Sequence, residues 1–336
     1  MFNGKYPYVI SEVGSNHLGK FSFCKKAILD SKKAGANCVK FQMFDEHNLV
    51  HPKVKTYKHI KDKKIKFQFQ RFKKVKLDKN KIIKLSTFAK KVGIDFAVTP
   101  FNHKDVKVIK NYVTFFKIAS GDLNNFLILK EIAKTKKRVV LSTGMSNMNN
   151  IKNALKFFNK KKIVLLHCIS SYPTNSEDAN LENIRYLNKK FNCITGYSDH
   201  TKGIDAAISS VFFGAKVIEK HFIPTMSKKA GDFELSINKK QMSEMIKRIQ
   251  LSVSLAGIKR KQVFNCEKYY EKNLKRSIYS KLNLKKNEKI NENNTVLLRP
   301  YNKKGINIEN YRKILGKRVK KDLKRFMLIR HNHLKK

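Results

Sequence analysis

The stretch "ITGYSDHT" at 194–201, followed by "VIEKHF" at 217–222, decides the fold. Each is a short apolar run that closes on a histidine, His200 in the first and His221 in the second, in a chain with only 10 histidines. Read outward, the same unit recurs at "PYVISEVGS" (7–15), "CVKFQM" (38–43), "DFAVTPF" (95–101), "FFKIASG" (115–121), "RVVLSTG" (138–144) and "KIVLLHCIS" (162–170). These are near-continuous apolar, β-branched segments, the pattern of strands buried on both faces. Between them lie "FCKKAILDSKKAGA", "NKIIKLSTFAKKVG", "NFLILKEIAKTKK", "NMNNIKNALKFFNKK" and "LENIRYLNKKF", whose apolar residues recur at three and four. Several of these end on Gly or Asn after lysines, as helix C-termini do. Eight strands alternating with helices predict an α/β chain built as a closed (β/α)8 barrel, a TIM barrel. An open doubly wound sheet is the competing architecture.

Three further segments shape the domain plan. Residues 44–80 are too long for a simple loop after the second strand and are expected over one mouth of the barrel. "MSEMIKRIQLSVSLAGI" (242–258) reads as the final barrel helix, which puts the barrel at 1–258. Residues 259–275 are charged and weakly periodic and read as a linker, and 276–336 as a second, small, irregular β domain too short to bury much alone.

Bulk properties limit the function classes. A chain of 336 residues at 41% hydrophobic can bury a large core. No run of eighteen apolar residues appears and "MFNGKYPYVISEVGSN" lacks the parts of a secretory signal, so a cytoplasmic location without membrane partners is expected. Five scattered cysteines without a C-x-x-C pair read as reduced thiols. The formal charge of +49, from 74 Lys and Arg against 25 Asp and Glu, would attract polyanions or small anions. The lysines are spread over nearly every helix and loop, with no arginine-rich arm, so the bland reading is a solvated surface and nucleic acid is not the expected partner.

In a (β/α)8 barrel the active site lies at the C-terminal ends of the strands, so polar residues there are the functional candidates. Those ends carry Glu12 on the first strand, Lys40 and Gln42 on the second, Thr99 on the third, and Lys117 and Ser120 on the fourth. They continue with Ser142 and Thr143, then His167, Ser170 and Tyr172, then Ser198 and His200, and finally His221. The last two strands are neighbours in a closed barrel, so His200 and His221 can converge, about 5 Å apart, with Glu12 next around the ring. Such a pair suits a divalent metal acting as a Lewis acid; a lone histidine at a rim would more simply be hydrogen-bonded. Lys40 and Lys117 sit inside apolar runs, where an ammonium is expensive unless an anion neutralises it. With Ser, Thr and Gln beside them they form a phosphate or carboxylate cradle, the alternative being that each snorkels or meets an internal carboxylate.

Through "ISEVGSNHLG", "AGANCVKFQMF", "TPF", "FKIASGDLNN", "LSTGMS", "LLHCISSYPT", "GYSDHT" and "IEKHF", in order, the chain resembles the sialic acid (N-acetylneuraminate) synthase family. The likeness resumes in the tail at "RSIYSK", "LRP" and "YRKILGK", which resemble the family's antifreeze-like (SAF) domain, a β-clip. The resemblance implies condensation of phosphoenolpyruvate with N-acetylmannosamine or a related amino hexose. It implies His200 and His221 as ligands of Mn²⁺, or of another divalent metal such as Mg²⁺ or Co²⁺. It places Lys40, Gln42, Thr99, Lys117, Ser120, Ser142 and Ser198 around phosphoenolpyruvate, with Glu12 activating the water that adds to it. Phe101, Tyr172 and Asp232 would face the sugar, and Arg299 would reach the barrel of the other subunit in a homodimer with swapped C-terminal domains.

Departures from the family pattern bear on the acceptor. Asp122 stands in "SGD" where the N-acetylmannosamine enzymes have Glu, Ser170 stands where some have Asn, and "PTMSKKAGDF" (224–233) lacks the prolines common before Asp232. A 2,4-diacetamido-trideoxy hexose, giving a legionaminic acid or a spore-coat-type product, is therefore an alternative acceptor. A barrel synthase using a pentose or tetrose phosphate would need a further basic pocket. A non-catalytic polyanion-binding barrel would show a steep salt slope and no turnover.

Overall fold

The computed structural model describes residues 1–57, 60, 65–226, 231–257 and 260–335. It forms two compact units, Met1–Gly257 and Ile258–Lys336. Residues 258 and 259, where the sequence reading divides the chain, and 227–230, within the loop before Asp232, lie outside the described residues.

All eight expected strands form, as β1 (Tyr8–Glu12), β2 (Cys38–Met43), β3 (Asp95–Pro100), β4 (Phe115–Ile118), β5 (Val139–Ser142), β6 (Ile163–Cys168), β7 (Ile194–Asp199) and β8 (Val217–His221). They close into a parallel barrel in sequence order, β8 pairing back onto β1. The open-sheet alternative is thereby set aside. Successive side chains alternate between faces. Tyr8, Ile10, Cys38, Ala97, Phe115, Val140, Val164, Leu166 and Val217 fill the barrel interior. The intervening residues, such as Val9, Val39, Phe41, Phe116, Leu165 and Ile218, pack under the surrounding helices.

The five helices read from periodicity occur at Phe21–Ala34, Lys79–Val92, Phe126–Lys134, Met148–Leu155 and Glu182–Phe191. The final barrel helix runs Lys239–Ala256, starting three residues before its expected position because Asn238 caps it by accepting from the Gln241 amide. Two short helices, His103–Ile109 and Asp205–Ser209, complete units whose helical pattern is only a turn or two long. In the second unit β9 (Ser277–Ser280) pairs antiparallel with β10 (Thr295–Leu298). Contrary to the expectation that it buries little, this unit closes a core of its own around Ile278, Leu284, Ile290, Ile306, Val319, Leu323 and Ile329. The segment read as linker contains an exposed helix, Lys268–Leu274.

One charged pair sits on the outward side of the barrel wall. Lys220 Nζ lies 2.9 Å from Asp199 Oδ2, both side chains fully buried, and donates to the Thr201 carbonyl at 2.6 Å. Breaking a buried pair by removing one partner strands the other charge. Lys220→Met should therefore cost about 3–5 kcal/mol of stability, read from urea denaturation. A loss below about 1 kcal/mol, the range of exposed pairs, would show that Asp199 is hydrated and does not need its lysine.

Candidate active site

A cavity of about 600 Å³ opens at the C-terminal mouth of the barrel. Its floor is made by the inward-pointing residues one step above the apolar interior. Strand register sets their neighbours: Glu12 lies opposite Lys40 on β2 and opposite His221 on β8, Gln42 opposite Thr99, and Ser198 opposite Glu219. Its roof comes from segment 44–80, as expected, through Phe44, Leu49, Val50, Tyr57, Gln68, Arg71 and Phe72.

The floor holds two lysines and two glutamates out of water. Lys40 Nζ is 2.8 Å from Glu12 Oε2, donates to Thr99 Oγ1 at 3.1 Å and lies 3.7 Å from Glu219. Lys117 Nζ donates to Ser142 Oγ at 2.6 Å and to the Ile118 carbonyl at 3.1 Å, and also stands 3.7 Å from Glu219. Ser198 Oγ donates to the same carboxylate at 3.2 Å. Burial opposes each charge, and the neighbours decide the outcome. Burial wins at Glu12, raising its carboxyl above the usual range against the pull of Lys40. At Glu219 burial is outweighed by Lys117 and Lys40, which hold the carboxyl low. Lys117 is lowered by burial, whereas Lys40 is held above its usual value, against burial, by Glu12 and Glu219. The floor is thus a buried set of ammonium groups and carboxylates whose charges offset one another.

Beside this floor the two histidines meet, their ring centroids 5.3 Å apart, with the Tyr172 ring 4.2 Å from that of His200. His200 Nδ1 lies 2.8 Å from the Ile169 carbonyl, so it carries the proton and donates, which leaves Nε2 as the ligating atom. His221 is pushed down to about 3 by burial and is neutral; its buried Nδ1 has no hydrogen-bond partner among the described residues and stands 3.7 Å from Asp232. Burial also disfavours charge on His200, but the Cys168 sulfur at 3.8 Å lifts it above its usual value. An orphaned imidazole nitrogen beside a second oriented imidazole fits a divalent cation. The described residues offer no group of three His, Cys, Asp or Glu for it.

Glycines allow this crowding at two points. Gly14 has φ +52°, and a Cβ there would stand 3.0 Å from Asp232 Oδ2 and 3.4 Å from Glu12 Oε1. At Gly144 a Cβ would come within 2.4 Å of Ser170 Oγ and 2.9 Å of Ser120 Oγ, the latter hydroxyl accepting from the Gly144 amide.

Of the residues expected from sequence, Glu12, Lys40, Gln42, Thr99, Phe101, Lys117 and Ser120 line the cavity, as do Ser142, Ser170, Tyr172, Ser198, His200, His221 and Asp232. Asp122 does not line it: its carboxylate accepts from Asn125 Nδ2 at 2.9 Å, and the neighbouring Gly121 forms the wall instead. Arg299 belongs to the second unit, where it is exposed. His167, read at a strand end, alternates to the outer face and binds the Ala179 carbonyl while stacking on Tyr197. Sequence reading missed Glu219, Cys168, Ser15 and Arg71. Glu219 lies two residues before His221 on the same face of β8, and Cys168 two residues after the inward Leu166 on β6, so period-two alternation carried that signal. Ser15 and Arg71 are brought in by loop and roof, which periodicity does not encode.

The closed (β/α)8 barrel thus gathers two buried lysines and two histidines into one cavity at the C-terminal ends of its strands. Residues 27–261 match the family described as NeuB family, and the chain belongs to it. It is 34% identical to the N,N'-diacetyllegionaminic acid synthase of Campylobacter jejuni subsp. jejuni over 97% of this chain and 99% of that one. It is 31% identical to the N-acetylneuraminate-9-phosphate synthase of Mus musculus over 84% of this chain and 80% of that one. Among solved structures, the N-acetylneuraminic acid (sialic acid) synthetase of Leptospira borgpetersenii serovar Hardjo-bovis in complex with citrate superposes with a TM-score of 0.72 at 30% identity. That match covers 80% of this chain and 91% of that one. No helix among the described residues is long and apolar enough to cross a membrane.

Proposed function

We propose that this chain is a nonulosonic acid synthase that joins phosphoenolpyruvate to N-acetylmannosamine or a related amino hexose and releases phosphate. The observation that carries this reading is the placement, in one cavity, of the Lys40 and Lys117 cradle beside the His200 and His221 pair. The cradle can take the phosphate and carboxylate of phosphoenolpyruvate by charge-assisted hydrogen bonds from two ammonium groups and the Thr99, Ser142 and Ser198 hydroxyls. Mn²⁺ or a similar cation, held by His200 and His221, would supply Lewis-acid polarisation of the open-chain sugar's aldehyde.

The chain's own residues then govern the rest. C3 of the enol phosphate forms the new C–C bond with the aldehyde carbon, whose oxygen becomes a hydroxyl by gaining the equivalent of the proton that the attacking water loses, and positive charge develops at C2. Glu12, held by Gln42 Nε2 at 2.8 Å and by Lys40, is placed to take a proton from the water that adds at C2. Cleavage of the C2–O bond in the resulting hemiketal phosphate leaves the ketone and phosphate, whose charge Lys40 and Lys117 stabilise throughout. Tyr172 and Phe101 bound the acceptor end. In this reading the protein works in the cytoplasm, and as a homodimer whose exchanged tail domain brings Arg299 toward the acceptor of its partner.

A second acceptor has a specific argument. The roof presents Phe44, Leu49, Val50 and Phe72 to the cavity, apolar surface that suits a 6-deoxy sugar such as a 2,4-diacetamido-trideoxy hexose. The test is phosphate release from phosphoenolpyruvate in the presence of Mn²⁺, with each sugar in parallel and with chelator added. Release that requires one sugar and stops on chelation supports the reading and chooses the acceptor. Folded protein that releases no phosphate with either sugar, yet binds polyanions with a steep salt slope, would replace it with the binding-protein alternative.

A further inference from the structure

We propose that the second unit carries a peripheral docking patch for an anionic lipid surface, formed by two neighbouring turns that expose Leu282 and Phe326. This contact is independent of the barrel chemistry. The unit contains a short internal repeat, "LKKNEKI" at 284–290 and "LKRFMLI" at 323–329. The two copies lie side by side: the Leu284 amide donates to the Leu323 carbonyl and the Leu323 amide to the Leu284 carbonyl, both at 2.8 Å. Each copy holds a β-turn, the Glu288 amide donating to the Lys285 carbonyl at 3.0 Å and the Met327 amide to the Lys324 carbonyl at 3.1 Å. The third residue of each turn is left-handed, Asn287 at φ +71° and Phe326 at φ +62°. Glycine or Asn suits that position, whereas a bulky L side chain there is a steric outlier. The first turn carries the residue its backbone demands; the second does not.

Packing does not account for Phe326. It is 55% exposed, and Leu282, 53% exposed, stands in the adjoining segment. The two segments are tied together where these side chains emerge, the Arg325 amide donating to Asn283 Oδ1 and the Phe326 amide to the Ser280 carbonyl, both at 2.8 Å. Backbone strain that only presents an apolar ring to water points to an external use for the ring. The same segments expose Lys281, Lys285, Lys286, Lys321, Lys324 and Arg325, whose guanidinium lies 4.5 Å from the Phe326 ring centroid. Asp322 pairs with Lys285 at 3.3 Å. In a chain of formal charge +49, cations alone would not single out this place. Cations flanking two projecting apolar side chains do, because the ring and the leucine can enter a headgroup layer while the ammonium groups meet lipid phosphates. A polynucleotide would meet the cations, but Leu282 offers its bases no π-face. No spanning helix is needed: the contact is peripheral, in a chain read from sequence as having no membrane partner.

The test is co-sedimentation of the full chain with vesicles of phosphatidylcholine, alone or mixed with phosphatidylglycerol, beside binding to a duplex oligonucleotide, urea denaturation and size-exclusion chromatography. Wild-type protein should bind the mixed vesicles, release from them at high salt and ignore phosphatidylcholine alone. Phe326→Asn installs the residue type of the first turn without changing charge. It should weaken vesicle binding about 3- to 10-fold, through loss of part of one ring's apolar transfer, while its urea midpoint stays level or rises as strain is relieved. Lys321→Gln with Lys324→Gln should weaken binding about fivefold per lysine. Lys189→Gln with Lys190→Gln, on the Glu182–Phe191 helix, should change it by less than about twofold, since a docked patch leaves other faces beyond the Debye length. Wild-type protein that ignores the mixed vesicles, Phe326→Asn that binds them as wild type does, or equal losses from the two lysine pairs overturns the proposal. So do variants that weaken oligonucleotide binding but not vesicle binding, and a changed oligomeric state in Phe326→Asn, which would assign the patch to contact between copies of the chain. Phe326→Gly repeats the comparison if the Asn variant does not fold, and loss of stability in both would show that Phe326 serves the fold instead.

Discussion

Lys117→Met should lower kcat/KM for phosphoenolpyruvate by about 10²- to 10³-fold, the scale of removing a preorganised charge-stabilising donor from a water-excluded site. The lysine side chain is only 3% exposed and its ammonium is directed by the Ser142 hydroxyl and the Ile118 carbonyl, so it is aimed before the substrate arrives. Removal has a second consequence. Glu219 is held low chiefly by Lys117 and Lys40, and with Lys117 gone it keeps a buried charge without its leading partner. The variant should also lose about 3–5 kcal/mol of stability. Adding Glu219→Gln to Lys117→Met removes the stranded charge and should recover most of that stability without recovering turnover. Urea denaturation and phosphate release measured on both variants separate the two effects. Recovery of activity along with stability would mean that the lysine serves the fold alone.

The strands were legible because a closed parallel barrel buries both faces of each strand, and such segments read as near-continuous Val, Ile, Leu and Phe whatever the function. The floor of the site was legible for a related reason. A lysine in "CVKFQM" or "FFKIASG" contradicts its surroundings, and the contradiction marks a charged group held for a purpose. What escaped notice followed from parity and from loops. His167 lies near the end of a strand as His221 does, but one residue short of it, before the inward Cys168, and so faces the helices. Glu219, inside the quoted "VIEKHF", has the parity of His221 and was hidden by the more conspicuous histidine. Arg71 lies in a roof segment without a regular period, and nothing local indicates that its guanidinium meets Asp232, far away in sequence. Asp122 shows the converse: it lies in a motif where carboxylate length was expected to matter, but its carboxylate accepts from Asn125 and the cavity is lined by Ser120 and Gly121 beside it.

Glu12→Gln should lower kcat by about 10²- to 10⁴-fold, the span of general acid–base catalysis, while leaving KM for phosphoenolpyruvate nearly unchanged. Gln keeps the shape of Glu12 and can still accept from Gln42, but it cannot take a proton from water. The pH profile gives the sharper signature. Burial, the largest influence on Glu12, raises its carboxyl above the ordinary value of 4.5, with Glu219 adding to the rise and Lys40 opposing it. Only the ionised form can act as a base, so wild-type kcat should decline as pH falls through this raised value, on an acid limb displaced upward from that of an ordinary glutamate. In Glu12→Gln that limb should vanish from whatever activity remains. Persistence of the same limb would assign it to another group, and a variant that keeps its full kcat would show that the attacking water is activated elsewhere. Strand register already favours Glu12 as this base, because it is the carboxylate flanked by Lys40 on one side and His221 on the other, where the cradle and the imidazole pair adjoin.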